Sequence, residues 1–208
     1  GCLAASSGEG KIDGHDIFEE PGAAKRLLGY LPEQPPLYMD RTPREYLTFV
    51  GRAKGLSRAQ LAEQMERVMS VTQIGDVADR LIKNLSKGYR QRVGIAQALL
   101  GDPKIVILDE PTVGLDPRQI IEIRDLIKAL GREHTVILSS HILSEVQAVC
   151  QTILIISKGR LVACDTPENL ERLFAGSTTV ALTAEAPAGE ATRLQSPLAH
   201  ITGLSSAP

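Results

Sequence analysis

Tryptophan is absent from this chain, and aromatic residues make up only 3% of its 208 positions. Surfaces that hold single-stranded nucleic acid stack bases on aromatic rings, so this scarcity argues against that class. A net charge of −2 likewise leaves no basic footprint for a polyanion, and no nucleic-acid partner is expected. Cysteine is sparse: Cys2, Cys150 and Cys164 lie far apart, without metal-ligand spacing. They read as buried or incidental thiols in a reducing compartment. No apolar run approaches the ~20 residues needed to cross a bilayer, and the N-terminus lacks the layout of a secretory signal. A cytoplasmic domain is expected, free to dock on a membrane partner. The sequence also holds no G-x-x-x-x-G-K-S/T phosphate loop. Gly8-Glu9-Gly10-Lys11 resembles its end, but Ala5 stands where the first glycine belongs and Ile12 where Ser or Thr belongs.

What is present is aliphatic. Hydrophobic residues reach 43% and charged residues 23%, which suits a parallel sheet covered by helices. Residues 1–14 read as a glycine-rich loop ending in a turn at Asp13-Gly14. Strands are expected over 27–31, 105–108, 135–138, 152–156 and 161–163, with the runs at 105–108 and 135–138 buried on both faces. Helices are expected over 59–70, 88–100, 117–130 and 144–149. A further one opens at Thr42-Pro43, where threonine caps and proline takes the first helical position, and Gly55 ends it. Gly131 closes the helix that starts at Pro117, and Thr166-Pro167-Glu168 opens another. Strands alternating with helices imply an α/β fold with a mainly parallel sheet. The segments divide into a core part over 1–38, a helical subdomain over 39–84, a second core part over 85–174 and a partial appendage over 175–208. In the appendage 178–182 reads as a strand and 190–194 as a helical turn.

Chemistry concentrates between Leu85 and His141. Ile105-Val106-Ile107-Leu108 delivers Asp109 and Glu110 to the C-terminal end of a strand, the edge at which open α/β sheets bind ligands. Asp109 fits a carboxylate that holds Mg²⁺ among phosphates and waters. Glu110 would orient a water for in-line attack on a phosphate. Ser86-Lys87-Gly88 opens a helix, which attracts anions but also describes plain capping. His141, after Leu138-Ser139-Ser140, can donate a hydrogen bond to phosphate. A lone histidine also serves as a surface residue. Asp116 in Gly114-Leu115-Asp116-Pro117 is either functional or an N-cap. Glu33 and Gln34 follow a strand, within reach of metal or water.

Taken together, LSKGYRQRVGIAQALLGDPKIVILDEPTVGLDP followed by VILSSH resembles the ATP-binding subunit of ABC transporters over about 7–173. The resemblance implies a P-loop NTPase-like fold with a helical insert, ATP and Mg²⁺ as cofactors, and ATP hydrolysis. It makes residues 85–89 the signature (with Ser86, Lys87 and Gly88 on nucleotide), 105–110 the Walker B strand, Asp116 part of the D-loop and His141 the switch histidine. Glu110 and His141 are then catalytic, Asp109 and Glu33 face the metal, and Gln34 and Asp116 face nucleotide. Gly29-Tyr30-Leu31-Pro32-Glu33 matches the Q-loop region, with Glu33 at the usual glutamine position and Gln34 one step later. Lys87 and Tyr89 depart from the commonest glycine and glutamine. GYLPE, the following PPLY and LSKGYRQR resemble the multidrug, sodium-export and gliding-motility branch, whose ATPases pair with ABC-2-type permeases.

The resemblance thus implies a cytoplasmic exporter subunit, peripheral on the inner face of the membrane through its permease. It also implies a second ATPase subunit, identical or different, with each ATP shared between the two. The family places a strand, the P-loop and a helix before the segment matching 7–12. The chain is therefore expected to be truncated ahead of Gly1 and at its C-terminus, and inactive alone. A soluble ABC ATPase without a transport role, and an inactive remnant lacking the P-loop, are the alternatives.

Overall fold

The structure is a computed structural model, and it describes residues 6–174; the expected strand at 178–182 and turn at 190–194 lie outside them. The chain divides into two compact units, Gly1–Pro167 and Glu168–Pro208.

The first unit opens with a hairpin, β1 (Lys11–Ile12) against β2 (His15–Asp16). Its two-residue turn has Asp13 at φ 51° and Gly14 at φ 84°, the left-handed pair such a tight turn requires. The Lys11 that ends the near-miss phosphate loop is therefore a strand residue. A short helix, α1 (Pro21–Arg26), follows with proline in its first turn. Neither these strands nor this helix is expected from the sequence, because both elements are too short to show a period.

A parallel sheet forms the centre. β3 (Leu28–Leu31), β4 (Ile105–Asp109) and β5 (Thr135–Ser139) lie side by side in that order. Their register is Leu31↔Leu108↔Leu138 and Tyr30↔Ile107↔Ile137. Between β3 and β4 run α2 (Pro43–Ala53), α3 (Arg58–Val71) and α4 (Lys87–Leu99), with short 3₁₀ turns at Gly75–Val77 and Ile82–Asn84. Thr42 with Glu45 caps α2, and Ser57 with Gln60 caps α3, each as a reciprocal box. α5 (Pro117–Leu130) joins β4 to β5, and α6 (Leu143–Val149) follows β5. β6 (Ile153–Ser157) and β7 (Arg160–Asp165) make an antiparallel hairpin through the Lys158-Gly159 turn. Of the second unit, the described part belongs to α7 (Pro167–Phe174).

Buried side chains of α3, α4 and α5 share one cluster with Leu31, Val106 and Leu108. The expectation that β4 and β5 are buried on both faces needs correction. Val106 and Leu108 are fully buried, while Ile105 and Ile107 are only half-buried and Ile137 is 51% exposed. Among the described residues the crossover helices α4 and α5 pack on one face. The Tyr30–Ile107–Ile137 row points the other way and stays outside the core cluster. Of the cysteines, Cys150 is half-buried and Cys164 exposed, both as free thiols.

α4 is buried along nearly its whole length, from Gly88 to Leu99. Two glycines set its distance from the sheet. A Cβ on Gly29 of β3 would lie 2.2 Å from the carbonyl oxygen of Ala98, and one on Gly94 of α4 would lie 2.6 Å from Leu31 Cδ1. The first obstacle is backbone and cannot rotate aside. Gly29→Ala is therefore expected to lower stability by about 1–3 kcal/mol, at roughly 2–4 °C of Tm for each kcal/mol in a chain of this size. An unchanged Tm in thermal denaturation would show that α4 can move off the sheet freely.

Candidate functional site

The parallel register ends β4 and β5 level, at Asp109 and Ser139, with β3 one residue shorter at Leu31, and each strand delivers polar groups past that edge. β4 ends in Asp109, directly opposite Ser139 of β5. The Ser139 hydroxyl donates to Asp109 Oδ1 at 2.5 Å. The Glu110 backbone N–H donates back to the Ser139 hydroxyl at 3.1 Å and to its carbonyl at 3.2 Å. Glu110 itself sits at φ +46°, in the left-handed region that non-glycine residues rarely adopt. This turn takes the chain sharply out of the strand and brings the Glu110 carboxylate to His141.

His141 Nδ1 lies 2.9 Å from Glu110 Oε1. The carboxylate is 19% exposed and the imidazole 68%. Glu110 Oε2 is buried and has no hydrogen-bond partner, an arrangement that leaves a carboxylate oxygen ready to accept from a further donor. The hydrogen bond to Glu110 raises the His141 pKa above its ordinary 6.5, followed by the charge of the same carboxylate and, more weakly, those of Glu145 and Glu33. Glu33 and Gln34 are exposed in the bend after β3. One edge of the sheet thus carries Glu33, Gln34, Asp109, Glu110 and His141.

A second group forms where α4 and α5 begin. Ser86 caps α4 by accepting from the Tyr89 N–H at 3.3 Å, and Asp116 caps α5 by accepting from the Gln119 N–H at 2.9 Å. Capping is thus what both side chains do in this structure. The two helix starts touch: a Cβ on Gly88 would lie 2.7 Å from the Gln119 side chain, and one on Gly114 would lie 2.1 Å from Lys87 Nζ. Lys87 is exposed beside that glycine. Tyr89 has a role of its own, since its hydroxyl donates to Asp76 Oδ2 at 2.8 Å and ties α4 to the 3₁₀ turn after α3. Among the described residues no hydrogen bond joins this group to the sheet-edge group.

Among the described residues no cluster of three or more His, Cys, Asp or Glu side chains converges on a metal position. The donors do suit a hard cation held mainly by phosphate and water, because that needs only one or two carboxylates, and Asp109 stands at the strand end. Sequence reasoning singled out the residues of both groups. It missed Ser139 as the partner of Asp109, and it missed Thr112, Arg124 and Glu145, which hold the loop behind Glu110. The last sits four residues after His141, a spacing that carries no signal by itself.

The model of the ABC transporter family matches residues 1–113. An uncharacterized ABC transporter ATP-binding protein of Bacillus subtilis, YhcH, is 42% identical over 165 residues, covering 78% of this chain and 53% of its own length. The ABC transporter ATP-binding protein NatA of the same organism is 36% identical, with 81% and 69% covered. The linearmycin resistance ATP-binding protein LnrL, also from B. subtilis, is 33% identical, with 88% and 59% covered. Among solved structures, cbiO1 from Clostridium perfringens, part of the ABC transporter complex cbiONQ, superposes with a TM-score of 0.75 at 27% identity over 85% of this chain and 71% of that one. The chain spans about half the length of the first curated relatives that it matches, 53% in each case.

The Glu110–His141 contact has a pH signature. A histidine whose folded pKa is raised contributes stability that is fully present below its unfolded pKa and is lost as pH rises through the folded one. In an NMR titration the His141 ring is expected to change protonation above pH 6.5, and Glu110→Gln should move that midpoint down. Equal midpoints in the two proteins would show that the contact does not form in solution.

Proposed function

The chain belongs to the ABC transporter ATP-binding family, and on that premise we propose that it is the ATP-hydrolysing part of an ABC-2-type exporter subunit. The observation that carries the reading is the strand-end pair, Glu110 held by His141 with its second carboxylate oxygen buried and unpartnered.

In this reading Asp109, at the end of β4, and Glu33, in the bend after β3, would hold Mg²⁺. Mg²⁺ bound with ATP supplies neutralisation of charge on the phosphates. Glu110 accepts a proton from the attacking water and orients it, while His141 holds Glu110 and donates toward the γ-phosphate. Gln34 reaches the same space from the bend after β3. Ser86, Lys87, Gly88 and Asp116 lie apart from these groups, and they serve a nucleotide bound on a second ATPase subunit. The exposed Lys87 ammonium adds a positive charge to the free N–H groups of the α4 N-terminus. Closure of two such subunits on ATP, followed by hydrolysis, drives the cycle.

The transport part of the reading is supported by the relatives named as transporter ATP-binding and resistance proteins. It is supported too by a groove of about 810 Å³ whose lining is apolar at Leu61, Met65 and Met69 of α3 and carries charges of both signs, among them Arg44, Arg58 and Glu66. Such a groove suits a helix offered by a membrane permease, which would hold this subunit at the cytoplasmic face. No helix among the described residues is long and apolar enough to cross a membrane.

The test is Glu110→Gln in the subunit produced from its full coding sequence. Glutamine keeps the shape and loses the base. ATP turnover is expected to fall at least about 100-fold, the lower end of what a general base contributes, while ATP-dependent dimerisation persists in size-exclusion chromatography. Turnover near that of the unaltered subunit would sink the role of Glu110.

A further inference from the structure

The loop behind the strand-end pair is fastened by a buried carboxylate that the reaction itself does not use. Glu145, in the first turn of α6, is 5% exposed, and Thr112, two residues after Glu110, is 6% exposed. The Thr112 hydroxyl donates to Glu145 Oε2. Arg124 of α5 approaches the other oxygen, with Nη2 3.6 Å from Oε1. Its own Nε is buried without a partner, so the arginine is not fully satisfied and its contribution is charge opposite Glu145.

Two cross-links therefore join the same two segments. Glu110 to His141 is one, and Thr112 to Glu145 is the other. Both segments are folded into hydrogen-bonded turns around their links. On the first, Val113 N–H donates to the Glu110 carbonyl at 3.2 Å and Leu115 N–H to the Thr112 carbonyl at 3.2 Å, two successive turns. On the second, the Ile142 N–H donates to the Ser140 hydroxyl at 3.1 Å, and the Glu145 N–H donates to the Ile142 carbonyl at 3.1 Å. A buried ion pair is weak evidence of stability, because apolar replacements often do as well. Its position, one step behind the reacting pair, is better explained by geometry.

We propose that Glu145 is a positioning residue for ATP hydrolysis, fixing the Glu110 loop to the His141 segment through Thr112. The proposal rests on the hydrolase reading above. Neither Thr112 nor Glu145 touches nucleotide in it. Their effect is on where Glu110 stands when water attacks, and so on kcat rather than on ATP affinity.

The experiment uses the subunit from its full coding sequence and compares Thr112→Val, which keeps the shape and removes the hydroxyl, with Thr112→Ser, which restores it. The valine variant is expected to lose up to about 100-fold in kcat, the scale of a small misplacement of a catalytic group, with KM for ATP unchanged. The serine variant should recover the rate. An unaltered kcat in the valine variant, a loss expressed in KM, or a serine variant as slow as valine would each overturn the proposal. If the valine variant does not fold, Glu145→Gln replaces it, with the same expected loss of kcat; an unaltered kcat there overturns the proposal equally. If the unaltered subunit shows no ATP hydrolysis, the hydrolase reading fails by itself. The linkage is then read from the His141 ring signals without nucleotide: they should move in Thr112→Val and stay in Thr112→Ser, and unmoved signals in the valine variant overturn it.

Discussion

The close seating of α4 on the sheet is the constraint on which the rest of this structure depends. It exists because Gly29 and Gly94 leave no side chain between strand and helix. With the helix at that distance, it is buried along nearly its whole length from Gly88 to Leu99. From α4 itself, Arg92 donates to the Thr72 carbonyl at 3.1 Å and to Glu122 Oε2 at 2.8 Å, which joins α3, α4 and α5. Lys54 reaches the other end of α4 from the end of α2, where its ammonium donates to the carbonyls of Gln97, Ala98 and Leu100 at 3.2, 3.4 and 2.5 Å. Those carbonyls lack partners inside the helix. Burial lowers the Lys54 pKa to about 8, while the carbonyls and the negative end of the helix favour the charged form. The start of α4, with Ser86, Lys87 and Gly88, is placed by all of this together.

The second organising fact is the level finish of β4 and β5, with β3 ending one residue earlier. Parallel pairing fixes which residues emerge together, so Asp109 and Ser139 face each other before any ligand is considered. The serine then serves both acids, donating to one side chain and accepting from the backbone of the next. Glu110 leaves the strand in a left-handed conformation, a strained choice that costs about 1–3 kcal/mol. The ladder beside it and the buried link behind it hold that conformation in place.

Much of this was readable locally. Thr42-Pro43, Ser86 and Asp116-Pro117 announced three helix starts, because a cap needs only side chains within one turn. Asp109, Glu110 and His141 were legible because they close aliphatic runs. What escaped depends on partners distant in sequence. The Tyr89 hydroxyl finds Asp76 only after α4 has packed, and Thr112 meets Glu145 across 33 positions. The half-open face of β4 was misread for a related reason. An aliphatic run records what a strand can bury, while the elements around it decide what is covered. Ile107 and Leu108 are alike in composition and differ only in which side faces α4 and α5.

The strand register also bears on how such a chain can vary over generations. A slip of Ile105–Asp109 by a single residue against its neighbours would exchange the two faces of the strand. Val106 and Leu108 would leave the core, and in the same step Asp109 would lose Ser139. A folding defect and the loss of the Asp109–Ser139 contact thus arrive together. Ile107, on the half-open face, takes part in neither the buried cluster nor the Asp109–Ser139 contact. The strand is consequently rigid in length and permissive at alternate positions, a pattern of variation set by pleat geometry before any requirement of catalysis.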